Sequence, residues 1–386
     1  MAGTRLLPKI EYRILKTVNR PSVDRMIPLL IFLAMVPGFV VVGVYLERKV
    51  SAFIQDRLGP MEVGKYGLLQ LFADLLKLLQ KEDIVPTAAD RRLFLLAPAV
   101  IFASVFAGFA VLPLSPDLQG SGAAVGVFYL MAVVSFDVVG ILMAGWGSNN
   151  KYSLFGAMRS VAQIISYEIP LGLTILCAVM ICQTLNLQEI SFQQGIYTYE
   201  PNYLFGIQAL GIEVTEWGGI FSWNILRNPF LLVAYVIFFI CTLAESNRAP
   251  FDLPEGESEI VAGYHTEYSG MRFALLYLSE YGMMLLVSFL GAILFLGSWN
   301  TPLPNLGPIR LADWTSGEPG TVWGYVTGVF WLLSKALFAV LLQMWVRWTF
   351  PRVRVDQMMF LCWKVLTPAG LLLLLLSGVW RLLMVS

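Results

Sequence analysis

Residues 26–49 read MIPLLIFLAMVPGFVVVGVYLERK, an unbroken uncharged run that meets Glu47, Arg48 and Lys49 at its end. A hydrocarbon core about 30 Å thick takes about 20 apolar residues to cross as a helix. A stretch of that length, closed by charges, is the pattern of a membrane span. The same template fits residues 93–114, 123–146, 154–183, 229–245, 273–299, 322–348 and 365–383. The chain of 386 residues is 57% hydrophobic and 13% charged, with a mean hydropathy of +0.70. Soluble domains carry about 25% charged residues, because surface facing water needs them. The sequence therefore predicts an all-α, polytopic integral membrane protein: one membrane domain over 1–386, with about eight transmembrane helices plus amphipathic interfacial helices. Its first expected partner is the lipid bilayer. A formal net charge of +0 gives no reason to expect nucleic acid.

Lysine and arginine mark the orientation. The connection after the first span, 47–92, holds Arg48, Lys49, Arg57, Lys65, Lys77, Lys81, Arg91 and Arg92. The third holds Lys151, the fifth (246–272) Arg248, and the seventh Arg352, Arg354 and Lys364. The even-numbered connections carry few positive charges, so the odd-numbered ones are expected on the cytoplasmic side and both termini outside. The basic segment 1–25 runs against that rule. Leu6, Ile10, Ile14 and Val18 recur there at helical spacing, which predicts an amphipathic helix on the membrane surface. The outside connection 184–228 is long enough to suggest a task or a docking partner. No internal repeat is visible.

Redox and metal chemistry find little support in this chain. Cys177, Cys182, Cys241 and Cys362 show no paired spacing, and His265 is the only histidine. The charges inside or beside apolar segments carry more. Residues 68–79 place Leu68, Leu71, Phe72, Leu75, Leu76 and Leu79 on one helical face with Asp74 and Lys77, too short and too charged to span. That segment either rests on lipid or frames, with Arg48, an entrance for a lipid-soluble substrate. Asp137 and Glu168 fall within spans, where a carboxylate costs several kcal/mol unless paired, hydrated or protonated. Structural pairing and a proton relay are both open. The segment 244–259, AESNRAPFDLPEGESE, holds Glu245, Arg248, Asp252, Glu255, Glu257 and Glu259 around Pro250 and Pro254, followed by Glu267 and, inside the sixth span, Glu280. A solvated acidic loop is the plain reading. A row of carboxylates running from loop into membrane fits a hydrated proton path better. The arginines of 347–354 serve either as positive-inside anchors or as counterions to those acids.

Taken in order, ERK at 47–49, DRLGP at 56–60, GLLQ at 67–70, SNNKY at 148–152, ISYE at 165–168, 244–259, 263–273 and 352–357 resemble one family. It is the membrane subunit called H in bacterial NADH:quinone oxidoreductase, respiratory complex I, and subunit one in mitochondria. The outside stretch 200–217 is extended relative to that family's pattern, and Leu71 stands where proline is common. The resemblance implies a multi-pass subunit of the cell inner membrane, not catalytic alone, beside other membrane-arm subunits and the peripheral-arm subunits of the quinone site. It implies ubiquinone or menaquinone as substrate and no cofactor bound by this chain, with flavin and iron–sulfur clusters in partner subunits. It places Arg48, Asp74, Lys77, Arg248 and Asp252 near the quinone. It assigns Glu168, Glu245, Glu255, Glu257, Glu259, Glu267 and Glu280 to an acidic path that couples quinone chemistry to proton translocation, and Asp137, inside the third span, joins that path by its position. A membrane anchor of a ferredoxin-, coenzyme-F- or hydrogenase-linked complex shares these features, and an ion-coupled carrier would also bury acids between helices.

Overall fold

The computed structural model describes residues 22–198, 201–208, 211–254, 256–305, 309–316 and 318–384, and for 22–25, 257, 258 and 384 the backbone alone. The expected amphipathic helix of 1–25 falls, over its first 21 residues, outside the described residues. Seven helical segments are long and apolar enough to cross a membrane. They are built from α1 (Ser22–Ile54), α3 (Arg91–Gly108), α4 and α5 (Gly126–Val134 and Phe136–Gly147), α6 (Lys151–Cys182), α9 (Gly270–Leu294), α10 (Val322–Thr349), and α11 and α12 (Val355–Phe360 and Thr367–Met384). Before α3 lies α2 (Gln70–Gln80), and after α6 comes α7 (Leu187–Gln193). The remaining expected span is α8, Pro229–Glu245, whose 17 residues rise about 26 Å. It is the short member of the bundle.

Local chemistry sets several of the starts. Asp90 accepts the amides of Arg92 and Leu93 at the head of α3, and Asn150 accepts that of Tyr152 at the head of α6. Asn228 caps α8 and is followed by Pro229, whose missing N–H costs nothing in a first turn. Three boundaries differ from the sequence template. The first helix runs past the charges of 47–49 to Ile54, because charge does not break a helix; it stops where Asp56 and Gly59 adopt left-handed angles before Pro60. The third span divides at Ser135, whose hydroxyl donates to the Met131 carbonyl (2.9 Å), a bond of the kind that bends helices. The last span begins at Val355, ten residues early, and passes through a π-helical turn at Leu361–Leu366.

Connections of odd number meet at one end of the bundle. Asn149 donates to the Ala88 carbonyl (2.9 Å), Arg272 pairs with Asp83 (2.7 Å), and the Val353 amide donates to the Pro250 carbonyl (3.1 Å). Even-numbered connections meet at the other end, where Gln194 donates to Ile293 and Trp380 to Phe205. A small antiparallel pair there, β1 (Pro113–Ser115) with β2 (Leu118–Gln119), lies against Gly328 of α10. This alternation is what eight crossings require. Helix α2 has no buried residue and exposes Phe72, Leu75, Leu76 and Leu79, the amphipathic interfacial helix expected.

Helix α9 is the centre: every residue from 281 to 294 is buried, as fits a helix apolar all round. Around it, small residues bring helices close. A Cβ on Gly140 would meet Ile101 at 2.4 Å, and one on Gly145 would meet the Ala157 Cβ at 2.2 Å. Gly145→Leu should therefore cost about 1–3 kcal/mol by overpacking. Thermal unfolding in detergent checks this, with Gly172→Ala, where a Cβ meets nothing within 4 Å, expected to unfold no earlier than the parent.

Candidate functional site

Loop five, between α8 and α9, builds the site by packing onto α6 at two glycines. A Cβ on Gly156 would lie 2.5 Å from the Cα of Gly263, and one on Gly263, at φ +54, would lie 1.8 Å from the Pro254 carbonyl oxygen. Val261 just before it holds φ +64, a costly conformation for a β-branched residue. The loop is tied down beyond the crossing. The Tyr268 hydroxyl donates to the Phe94 carbonyl (3.1 Å) while its ring stacks on Phe94 at 4.2 Å, and burial raises its phenol above the usual range.

This crossing presents Tyr264 and His265 to Glu280 on α9. The Tyr264 hydroxyl donates to Glu280 Oε1 (2.8 Å), and His265 Nε2 lies 3.0 Å from the same oxygen. Beside them is a cavity of about 10 Å³, lined by Asp137, Glu245, Ser246, Asn247, Tyr264, Ser279 and Glu280. That is room for about one water. Asp137 and Glu245 are 7% and 3% exposed, and Asp137 Oδ1 and Glu245 Oε2 find no hydrogen-bond donor among the described residues. Glu168 lies within electrostatic reach of both. Four carboxyls from α5, α6, α8 and α9 thus converge.

A second buried cluster adjoins the first through Arg248. Its guanidinium donates to both oxygens of Glu47 (3.2 and 3.3 Å) and lies 4.2 Å from the Tyr281 ring centroid. Arg347 and the Tyr281 hydroxyl also donate to Glu47, and Tyr277 sits 3.4 Å from the Tyr281 hydroxyl. Burial opposes the charge on Arg248. Glu47, with smaller help from Tyr281, Tyr277 and Glu280, more than offsets it and holds its pKa above the usual arginine range. Two guanidinium groups around one carboxylate leave this buried cluster net positive.

The other expected residues divide between a second pairing layer and the surface. Arg48 binds Asp74 at 2.7 Å, with Gln70 donating to Asp74 at 3.3 Å, so α1 and α2 are joined there; Lys77 is exposed on α2. Asp252 pairs with Arg352 at 3.2 Å, which is the counterion alternative of the two open for the seventh connection. Glu259 pairs with Arg159 (2.6 Å) at the loop surface and the half-buried Glu267 accepts from Asn150 (2.6 Å); neither lines the cavity. Glu255 lies outside the described residues, and so does the side chain of Glu257. Glu47 and Lys335 escape a reading by loop segments. Glu47 looks like the head of a basic orientation signal. Lys335 stands in the middle of an apolar span, which is itself the signal; its Nζ donates to the carbonyls of Ser298 (2.9 Å) and Asn300 (2.5 Å) and lies 4.1 Å from the Trp223 ring centroid.

A family model described as NADH dehydrogenase matches residues 27–378 of this chain. The chain is 62% identical over 359 residues to the NADH-quinone oxidoreductase subunit designated H 2 in Cytophaga hutchinsonii, covering 92% of this chain and 98% of that one. It is 52% identical over 341 residues to the H subunit of the Chlorobium luteolum NADH-quinone oxidoreductase (88% and 84% covered). To that of Anaeromyxobacter dehalogenans it is 42% identical over 350 residues (90% and 79%).

Two outcomes follow from the geometry. Glu47→Ala leaves Arg248 and Arg347 without their shared carboxylate and should destabilise the fold by about 3–5 kcal/mol, read by thermal unfolding, with Glu47→Gln less damaging. The hydrogen bond and charge of Arg159, helped by Arg352 and Arg354, hold Glu259 below its ordinary value of 4.5. A depressed folded value means that the Arg159–Glu259 tether is complete at pH 4.5 and above and is lost as pH falls through the lower folded value. Hydrogen exchange over 256–262 should differ between parent and Glu259→Gln at neutral pH and converge in stronger acid.

Proposed function

We propose a function that proceeds from one premise: the chain belongs to the NADH dehydrogenase family, as an H subunit of NADH-quinone oxidoreductase, embedded in the membrane with other subunits of that oxidoreductase complex beside it. On this reading it sits in the cell inner membrane and forms part of the chamber in which quinone is reduced. It also carries the acidic path by which that reduction drives proton translocation. The chain itself holds no redox cofactor; flavin and iron–sulfur clusters in partner subunits deliver the electrons.

The observation that carries the reading is the convergence of Asp137, Glu245 and Glu280 on a cavity of one-water size, one residue along loop five from the Arg248–Glu47 cluster. Reduction of a quinone to a quinol takes up two electrons and two protons, so negative charge appears and is neutralised in the chamber. Arg248 is a fixed positive group whose environment includes both Glu47 and Glu280. A negative charge near Arg248 draws on the same guanidinium that Glu47 and Glu280 sense. Asp137, Glu168 and Glu245 are electrostatically coupled, and carboxyls so coupled exchange protons as a set rather than singly. A charge change at one end of that set therefore redistributes protons along it. Arg48, Asp74 and Lys77, where α2 meets α1, fit the access route for the quinone tail, because α2 shows lipid an apolar face.

In the assembled complex, Asp137→Asn or Glu245→Gln should cut both quinone reductase activity and proton pumping severely. NADH oxidation by ferricyanide, which bypasses the membrane arm, should be unchanged. Parent rates in both quinone assays would overturn the assignment, and Glu168→Gln should follow the same pattern. Arg248→Ala should raise the KM for quinone and shift titrations with quinone-site blockers; unchanged kinetics and titrations would remove Arg248 from the chamber.

A further inference from the structure

An apolar groove at the odd-loop end of α3, α5 and α6 plays no part in the acidic site. It has a volume of about 460 Å³ and is lined by Leu93, Leu142, Met143, Trp146, Leu154 and Met158. It opens away from the bundle, with Leu142, Trp146 and Met158 exposed. Positive charge gathers at its rim. Arg91 and Arg92 directly precede Leu93 in the first turn of α3, and Lys151 opens α6 one turn before Leu154; all three are exposed. The two helix starts are held side by side, since the Asp90 amide donates to the Gly147 carbonyl (2.9 Å) and Asn149 donates to that of Ala88 (2.9 Å). Arg48, Arg159, Arg272 and Arg352 at this end each meet a carboxylate; Arg91, Arg92 and Lys151 form no ion pair among the described residues.

We propose that this groove binds an anionic phospholipid, with an acyl chain along Leu142, Trp146 and Met158 and the headgroup phosphate against Arg92 and Lys151. An apolar trough beneath uncompensated cations matches an amphiphile with a negative head, and each surface cation contributes about 1 kcal/mol toward anionic lipid. Partner helices favour small residues at their contacts, whereas these walls are leucine, methionine and tryptophan, and methionine adapts to a flexible chain. A quinone head would need donors for its carbonyls, and the lining offers only the Trp146 indole N–H. The site stands whether or not the quinone reading does.

The test is photocrosslinking in the whole complex, with Met158 replaced by p-benzoylphenylalanine, in vesicles of equal phosphatidylglycerol and phosphatidylcholine. Should that position block assembly, Leu142 carries the probe instead. Phosphatidylglycerol adducts should exceed phosphatidylcholine adducts, and Arg92→Gln with Lys151→Gln should remove about fivefold of that preference per charge, with thermal unfolding unchanged. Adducts in vesicle proportion, meaning bulk lipid only, would overturn the proposal. Crosslinks to a partner polypeptide or to quinone would do so equally.

Discussion

A carboxylate inside a membrane bundle must be given something to hold, and much of this structure follows from how Glu47 is served. Arg248, Arg347 and the Tyr281 hydroxyl all reach it, from loop five, α10 and α9. One acid thereby fixes three elements that are far apart in sequence to the end of α1. Removing a buried partner of this kind is costly because the remaining charges have no water to fall back on. The cluster also sets where loop five can lie, and loop five in turn presents Tyr264 and His265 to Glu280. The acidic cavity is thus downstream of a charge balance made elsewhere.

The spans were legible because their signal is redundant. An apolar run of about 20 residues survives errors of several positions, so all eight crossings appear in the sequence even though α8 is short and the third is divided. Boundaries were less legible. Nothing in hydropathy says that α1 continues to Ile54, because helix hydrogen bonds persist in water once the bilayer has ended. The π-turn before α12 likewise has no hydropathic signature.

The acid residues were legible as a set and not as a geometry. Asp137, Glu245 and Glu280 come from three different helices, and only packing decides that they share one small cavity. Glu259 and Glu267 carry the same chemistry in sequence yet end outside the cavity, beside Arg159 and Asn150. Glu47 shows nothing of its role among basic neighbours, because that role depends on Arg248 and Arg347, 201 and 300 residues away along the chain. Lys335 needed no long-range information, only attention to a single lysine where none is cheap.

The burial of α9 has a mechanical consequence. From residue 281 onward the helix is gripped on every side, while its first three turns, only partly buried, lead back to loop five. It is a rod clamped fully over its later half and more lightly, through Arg272 and Tyr277, over its start, and Glu280 sits at the lip of the clamp. Such a rod neither slides nor turns as a whole. Strain applied by the loop is concentrated where the grip begins, so a small displacement of Tyr264 or His265 arrives at Glu280 as a local flexure.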